Sequence, residues 1–456
     1  MTADPLRWLY AAVAISVWLL IVAAVARARR RARVEALRQG DAFLAGDEDP
    51  VLVAFASQTG LGEELAWMTA RSLSEAGVPA RVALFGDLTT VELKAARRVL
   101  VIAATTGEGD APDSASWFVR QAMKGAADLS GLSYGLLALG DRTYANFCGF
   151  GRALDAWMQR SGAEPLFDRV EVDNGDAGAV RHWQRQLGLL TGGTVAADWT
   201  PPAFDRWRLV ERQCLNPGGP GGEAWRLVFA PDGHAPAWVA GDIAEIGLPA
   251  SPGAPASGSR EYSVASLPAE GHAALIVRRM TRPDGTPGLA SGWLTKDLAL
   301  GDTVGMRVRS NRSFHGPTPA TPLILIGNGT GLAGLRAHLK ARDGQEHGGA
   351  WLMFGERTRA HDAFLDEELQ AWRASGVLTR LDRAFSRDPD DGRYVQAVID
   401  AEAGEVAAWV GRGATLLVCG SLEGMSKGVH AALERALGSE GLAALADLGR
   451  YRRDVY

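Results

Sequence analysis

At 456 residues, 47% hydrophobic and 22% charged, the chain has the composition of a globular protein of two to four domains, each able to bury its own core. A net charge of -5, from 48 basic against 53 acidic residues, gives no electrostatic footprint for nucleic acid. Cys148, Cys214 and Cys419 show no CxxC spacing, which excludes a disulfide framework and a zinc site as readings and fits a reducing compartment.

The first element departs from this picture. Trp8 to Ala26 carries no charged residue and, at about 1.5 Å per residue, spans roughly 28 Å as a helix, enough to cross a bilayer once. Arg27, Arg29, Arg30, Arg31 and Arg33 follow it, whereas only Asp4 and Arg7 precede it, so the positive-inside rule keeps the C-terminal side cytoplasmic. A cleaved signal peptide would place the basic cluster before the apolar run instead. The expectation is a transmembrane anchor over residues 8–26, a basic juxtamembrane linker over 27–48, and a single-pass protein of the cytoplasmic membrane.

From Pro50 short apolar runs alternate with helical stretches: VLVAFAS, a helix through Glu63 to Ala76, RVALF, RRVLVIAAT and YGLLALG. Strands separated by helices predict a doubly wound parallel sheet, in which ligands bind at the carboxyl ends of the strands. Three loops fall there. Ser57, Gln58, Thr59, Gly60, Leu61 and Gly62 lie between a strand and a helix and offer hydroxyls and N–H groups to a phosphate monoester, or else form an N-capping turn. Thr105, Thr106, Gly107, Glu108 and Gly109, with Gly140, Asp141 and Tyr144, can wrap an isoalloxazine with the tyrosine stacked on it; the same tyrosine can pack on the surface.

Residues 194–320 are rich in Pro and Gly, with short β-type runs RWRLVERQ, AWRLVFA and ALIVRRM, and read as a small antiparallel barrel. Within it, Arg260, Tyr262, Ser263 and Val264 suit a flavin diphosphate, a ring and the flavin N5 edge. Gly288, Leu289, Ala290 and Ser291 open a run whose first amides can meet the same diphosphate.

TPLILIGNGTG returns at Thr321 to a strand, glycine turn and helix, and LLVCGSLEGMSKGVHAAL repeats the pattern, so residues 321–456 read as a second α/β domain. Gly329, Thr330 and Gly331 allow close approach of a pyrophosphate. Ser386 and Arg387, with Tyr394 and Gln396, fit an adenosine 2'-phosphate clamp, or else form an exposed polar loop. Cys419 ends a buried strand, where a free cysteine is commonly a small core residue.

The order of these segments resembles the diflavin reductase family, a flavodoxin module joined to a ferredoxin-NADP reductase module, over nearly all of residues 50–456. LGDRTYANFC, FDRVEVD and the terminal RYRRDVY are similar to the flavoprotein subunit of bacterial sulfite reductase and to NADPH-haemoprotein reductases. The resemblance implies an FMN domain at 49–193, an FAD-binding barrel at 194–320 and an NADPH domain at 321–456. It extends the flavin set to Leu139, Phe147, Cys148 and Asp173. It also implies that Ser263, Cys419 and Asp454 orient the nicotinamide for hydride transfer while Tyr456 covers the isoalloxazine face. Four positions depart from the pattern: Thr106 stands where an aromatic is common, Asn328 and Gly334 where proline is usual, and Gly392 where lysine is usual, with Arg393 adjacent. The family's helical connecting domain is expected to be missing or vestigial.

The resulting expectation is an α/β multidomain, membrane-anchored NADPH-dependent diflavin reductase. Electrons pass from NADPH to FAD to FMN and on to a one-electron acceptor, first a haem protein by analogy and otherwise a ferric siderophore or iron chelate. A flavin-binding, redox-sensing subunit without turnover is the alternative of another class.

Overall fold

A computed structural model of the chain describes residues 50–456 apart from 59, 143, 193–198, 200–202, 249–258 and 283. The expected anchor over 8–26, the linker over 27–48 and Thr59 lie outside the described residues. Among those described, no helix is long and apolar enough to cross a membrane. The described residues form two compact units: the first holds residues up to Ser57 and from Leu61 to Trp199, and the second holds Gln58, Gly60 and the described residues from Ala203 to Tyr456.

In the first unit a parallel sheet is built from β1 (Val51–Ala56), β2 (Ala80–Leu84), β3 (Arg98–Ala104), β4 (Ser133–Gly140), β5 (Glu164–Pro165) and β6 (Val170–Asp173), ordered β2-β1-β3-β4-β5 with β6 also on β4. The run VLVAFA becomes a central strand because helices cover both faces, so neither face needs polar residues. The helix Leu61–Glu75 buries Leu65, Ala66, Thr69, Ala70 and Leu73, a stripe at helical spacing on one side of the sheet. Trp183 is wholly buried against it, its indole N–H donating to Thr69 Oγ1 at 3.0 Å, so Trp183→Ala would cost ~3–5 kcal/mol. Phe85, Phe118 and Trp157 fill the other side.

The second unit holds two sheets. Six antiparallel strands, β7 (Asp205–Cys214), β8 (Ala224–Pro231), β9 (Ile243–Gly247), β10 (Ser259–Ser263), β11 (Ala273–Arg278) and β12 (Thr303–Arg309), run in the order β10-β9-β12-β7-β8-β11. Among the described residues no ladder joins β10 to β11, which corrects the expected barrel: the sheet is antiparallel and six-stranded but is not closed by hydrogen bonds. The physical reason is that a short β10 pairs only with β9 over Ser259 to Ser263.

The last sheet is parallel: β13 (Leu323–Asn328), β14 (Ala350–Glu356), β15 (Leu378–Phe385), β16 (Thr415–Gly420) and β17 (Tyr451–Val455), ordered β15-β14-β13-β16-β17. Its core is continuous with the antiparallel sheet, since Val228, Ala274 and Ile276 pack in one cluster with Leu325, Leu335 and Leu352. Arg336, on the helix Leu332–Lys340, reinforces that junction by donating to the Ala265 carbonyl and to Glu368 and Glu270. The chain end is an edge strand, not a frayed tail: β17 pairs with β16 from Leu416/Tyr451 to Gly420/Val455.

Candidate functional site

The three expected loops follow β1, β3 and β4. Gly60 has φ +83°, a left-handed conformation that glycine adopts freely, and the next residues enter the helix at Leu61. The Gly62 N–H donates to Ser57 Oγ at 3.2 Å, and Ser114 Oγ donates to the Ser57 carbonyl at 3.0 Å. Ser57 therefore caps the helix, as the N-capping reading expects, while the phosphate reading calls on the first-turn amides that lack intrahelical partners. Thr105 Oγ1 is buried with no hydrogen-bond partner among the described residues, which suits a polar ligand at this loop.

Thr106 does not reach across the site: its hydroxyl donates within its own loop to the Asp110 and Ala111 carbonyls, at 3.3 and 3.2 Å. The β3 and β4 loops are locked together instead by Asn146, whose amide donates to the Glu108 carbonyl at 2.6 Å. Gly109 (φ +121°) lies so close that a Cβ there would stand 2.7 Å from Asn146 Cβ. Asp173 accepts from the Arg142 N–H at 3.0 Å and fixes the β4 loop, while Phe147 lies under the Arg142 guanidinium, 4.7 Å from its ring centre. Cys148 caps the following helix with φ +53° and is fully buried; burial raises its thiol pKa to about 11. Leu139 and Gly140 end β4 beneath it, and Gly107 completes the β3 loop beside Glu108. Tyr144 is half-buried in this loop.

In the second unit, side chains alternate along β10, so Arg260, Tyr262 and Val264 share one side while Ser263 points to the other. The Arg260 guanidinium is exposed and donates only to the neighbouring Ser259 carbonyl among the described residues. Leu289–Gly292 is a short helix continued by a wide turn over Trp293–Asp297. Ser291 Oγ accepts from the Met280 N–H at 3.0 Å, and Gly288 donates to the Met280 carbonyl at 2.7 Å. Ala290 is buried and Leu289 half exposed at this end.

Three groups distant in sequence converge where the two sheets meet. Ser263 Oγ donates to Asp454 Oδ2 at 2.8 Å; Cys419 Sγ lies 3.8 Å from the same oxygen and 4.0 Å from Ser263 Oγ. Cys419 and Asp454 face each other as register partners in β16 and β17. Burial raises the Asp454 pKa to about 6 against the opposing hydrogen bonds from Ser263 and Cys419. Burial and the Asp454 charge together push the Cys419 thiol well up, so it stays protonated. Gly334 leaves room over this group: a Cβ there would meet Cys419 Sγ at 3.2 Å, Phe314 at 3.3 Å and Ser263 Cβ at 3.5 Å. A flat ring fits such a floor better than a branched side chain. Tyr456 stands beside it, half exposed, its hydroxyl donating to Thr330 Oγ1 at 3.3 Å.

Gly329 (φ +56°), Thr330 and Gly331 form a tight turn after β13. Asn328 strengthens this turn, because its Oδ1 accepts the Ser421 N–H at 3.0 Å and ties the loops after β13 and β16 together. Sequence reasoning missed this bond and the ion pair Arg278–Glu356 at 2.5 Å, which flanks Gly329. A carboxylate ending an otherwise apolar strand, as Glu356 ends β14, was the available signal for the pair. Ser386 and Arg387 lie on the loop after β15, with Arg387 and Tyr394 exposed; Gln396 packs instead against Gly428.

A family model described as Flavodoxin matches residues 53–183, and one described as Oxidoreductase NAD-binding domain matches residues 325–431. Similar proteins include three described as the flavoprotein alpha-component of NADPH sulfite reductase. The one from Vibrio vulnificus (strain CMCP6) is 26% identical over 540 positions, covering 89% of this chain and 87% of the relative. Those from Bacillus subtilis (strain 168) and Neisseria meningitidis serogroup A are 25% and 27% identical, each covering 89% of both chains. An alignment of 540 positions is longer than the whole 456-residue chain, so the relative carries residues with no counterpart here.

Proposed function

We propose, on the premise that the chain belongs to the diflavin reductase family, that it is a membrane-anchored NADPH-dependent flavin oxidoreductase whose final acceptor is a haem protein. Its cofactors are FMN, FAD and NADPH. The observation that carries the reading is the buried convergence of Ser263, Cys419 and Asp454 beside Gly334 and Tyr456. The bound cofactors supply the redox chemistry, a hydride from NADPH and single electrons onward.

The protein's own groups do the rest. Asp454 and the Ser263 hydroxyl would hold a fixed dipole and charge beside a bound nicotinamide, against which the Cys419 thiol would pack. Tyr456, the residue after β17, would cover the flavin face and would move aside to admit nicotinamide. Arg260 and the Gly288–Ser291 amides meet the FAD diphosphate, while Gly329–Gly331 admits that of NADPH. The Ser57–Gly62 turn would hold the FMN phosphate, and the Thr105–Gly109 and Gly140–Tyr144 loops would hold the ring between them. If Asn146 pins those loops, Asn146→Ala should raise the FMN dissociation constant about tenfold, the worth of one well-made hydrogen bond. Release of FMN fluorescence on dilution measures this, and unchanged retention would remove Asn146 from the cradle.

The block of relatives' residues without a counterpart here is assigned to the helical connecting domain, so domains 49–193, 194–320 and 321–456 are linked without it. Trp8–Ala26 anchors the chain, with the basic residues after it on the cytoplasmic side. The test is anaerobic NADPH oxidation by detergent-purified full-length chain with a model haem protein, a ferric siderophore or no acceptor. Reduction of the haem protein alone is expected. Fast siderophore turnover would replace the haem acceptor with iron release, and a yellow protein that NADPH fails to bleach would leave only a non-catalytic flavin subunit.

A further inference from the structure

The loop after β15 is zipped to the end of β14 by backbone bonds: the Ser386 N–H donates to the Glu356 carbonyl and the Arg387 N–H to the Arg357 carbonyl, both at 2.8 Å. The next arginine on the β14 side, Arg359, is held beside the same loop in two ways. Its N–H donates to Asp388 Oδ2 at 3.1 Å, and its guanidinium lies over the Phe385 ring, 4.8 Å from the centre. Stacking on an aromatic face orients the planar guanidinium while leaving its in-plane N–H donors unused. No carboxylate pairs with the side chain of Arg359 or Arg387 among the described residues, and both residues are exposed.

Several other charges around the loop already have partners. Arg393, the neighbour of Gly392, is bound by Asp391 at 2.6 Å, and Asp391 also accepts the Phe385 N–H at 2.9 Å, so Arg393 is a strut of the loop. Glu356 is taken by Arg278 at 2.5 Å, and Arg357 donates to the Gly221 carbonyl. Burial, then the charges of Arg278 and Arg387, lower the Arg357 pKa, which places Arg387 within electrostatic reach of this cluster. Asp388 spends one carboxylate oxygen on the Arg359 backbone. The Ser386 hydroxyl itself donates to the Glu356 carbonyl at 3.2 Å, so the donors this loop leaves for a ligand are the guanidinium groups of Arg387 and of Arg359, which is held over the neighbouring Phe385; two such cations match a dianionic phosphate.

We infer that Arg359 is the second cation of the adenosine 2'-phosphate clamp, taking with Arg387 the place of the lysine that related reductases carry at position 392. The inference rests on the reading that the Ser386–Arg387 loop receives the 2'-phosphate of NADPH. It makes discrimination against NADH a property of Arg359, because NADH would leave both guanidinium groups without a phosphate to bind.

The experiment compares Arg359→Ala, Arg359→Lys, Arg387→Ala and the unchanged full-length chain in detergent, with ferricyanide as acceptor and NADPH or NADH as donor. Arg359→Ala should raise the KM for NADPH roughly tenfold with kcat and the KM for NADH nearly unchanged, and Arg359→Lys should recover part of the loss. Calorimetric titration with adenosine 2'-monophosphate should show a weakening similar to the KM change, whereas adenosine 5'-monophosphate should bind alike to both. If Arg387→Ala shifts the NADPH to NADH preference and Arg359→Ala does not, Arg359 has no part in the clamp. If neither shifts it, the 2'-phosphate reading of the loop falls, and the inference with it.

Discussion

Asp454→Asn is expected to slow flavin reduction by NADPH about 10²-fold while making the protein more stable at neutral pH, two effects that pull apart catalysis and folding. Asn keeps an acceptor for Ser263 Oγ, which lies 2.8 Å from the carboxylate in the native protein, so the geometry of the group survives and only the charge goes. That charge is costly. Burial raises the Asp454 pKa to about 6 from an ordinary 3.8, a penalty on the ionised form of roughly 3 kcal/mol at pH 7. The folded state binds the proton more tightly than the unfolded state, so stability from this group is full below about pH 4 and is lost as pH rises through about 6. The melting temperature of the Asn variant should therefore exceed that of the native chain at pH 7, and the gap should close toward pH 4. Rate runs the other way: if the carboxylate is the working form, native flavin reduction rises with pH through about 6, and the variant is slow and flat. Anaerobic stopped-flow reduction across this range measures both. A variant that reduces its flavin at the native rate would mean that the buried charge has no part in hydride transfer.

The sequence exposes this site unevenly, for physical reasons. Runs such as VLVAFA and LLVCG are readable because a parallel strand covered on both faces has no polar side, and the loops that follow such strands are where ligands bind. Ser263, Cys419 and Asp454 are another matter. They come from three strands in two sheets, and only pairing of β16 with β17 plus packing of β10 over them brings the oxygens and sulfur together. No local periodicity encodes that, and resemblance to a family supplied it. Cross-loop bonds stayed hidden for the same reason: Asn328 to Ser421 and Asn146 to Glu108 depend on the register of whole strands. Asn328 shows how a departure from a motif can mislead, since losing proline suggests a looser turn while the amide supplies a new tie. The barrel expectation came from counting short β-type runs, which says how many strands exist and nothing about whether the first and last pair.

Gly331→Ala should abolish most NADPH-driven flavin reduction through backbone collision and not through any lost side chain. Gly331 has an ordinary helical backbone, so conformational freedom is not what demands glycine here. Space is: a Cβ would stand 2.5 Å from the Cys419 carbonyl carbon and 2.7 Å from Gly420 Cα, and neither neighbour is a flexible side chain that can yield. The turn after β13 must then lift off β16, at a cost of about 3 kcal/mol or more. Because Cys419 sits at the point of contact and Asp454 is its register partner, the displacement reaches the groups that meet the nicotinamide, and a shift near 1 Å is enough for a loss of about 10²-fold. Gly392→Ala is the contrast, with φ +64° but open space around it, so it should cost about 1 kcal/mol and leave flavin reduction intact. Chemical reduction by dithionite reports whether flavin remains bound in each variant. A Gly331→Ala protein that keeps its flavins and still accepts hydride from NADPH at the native rate would show that close packing of this turn on β16 is dispensable for the reaction.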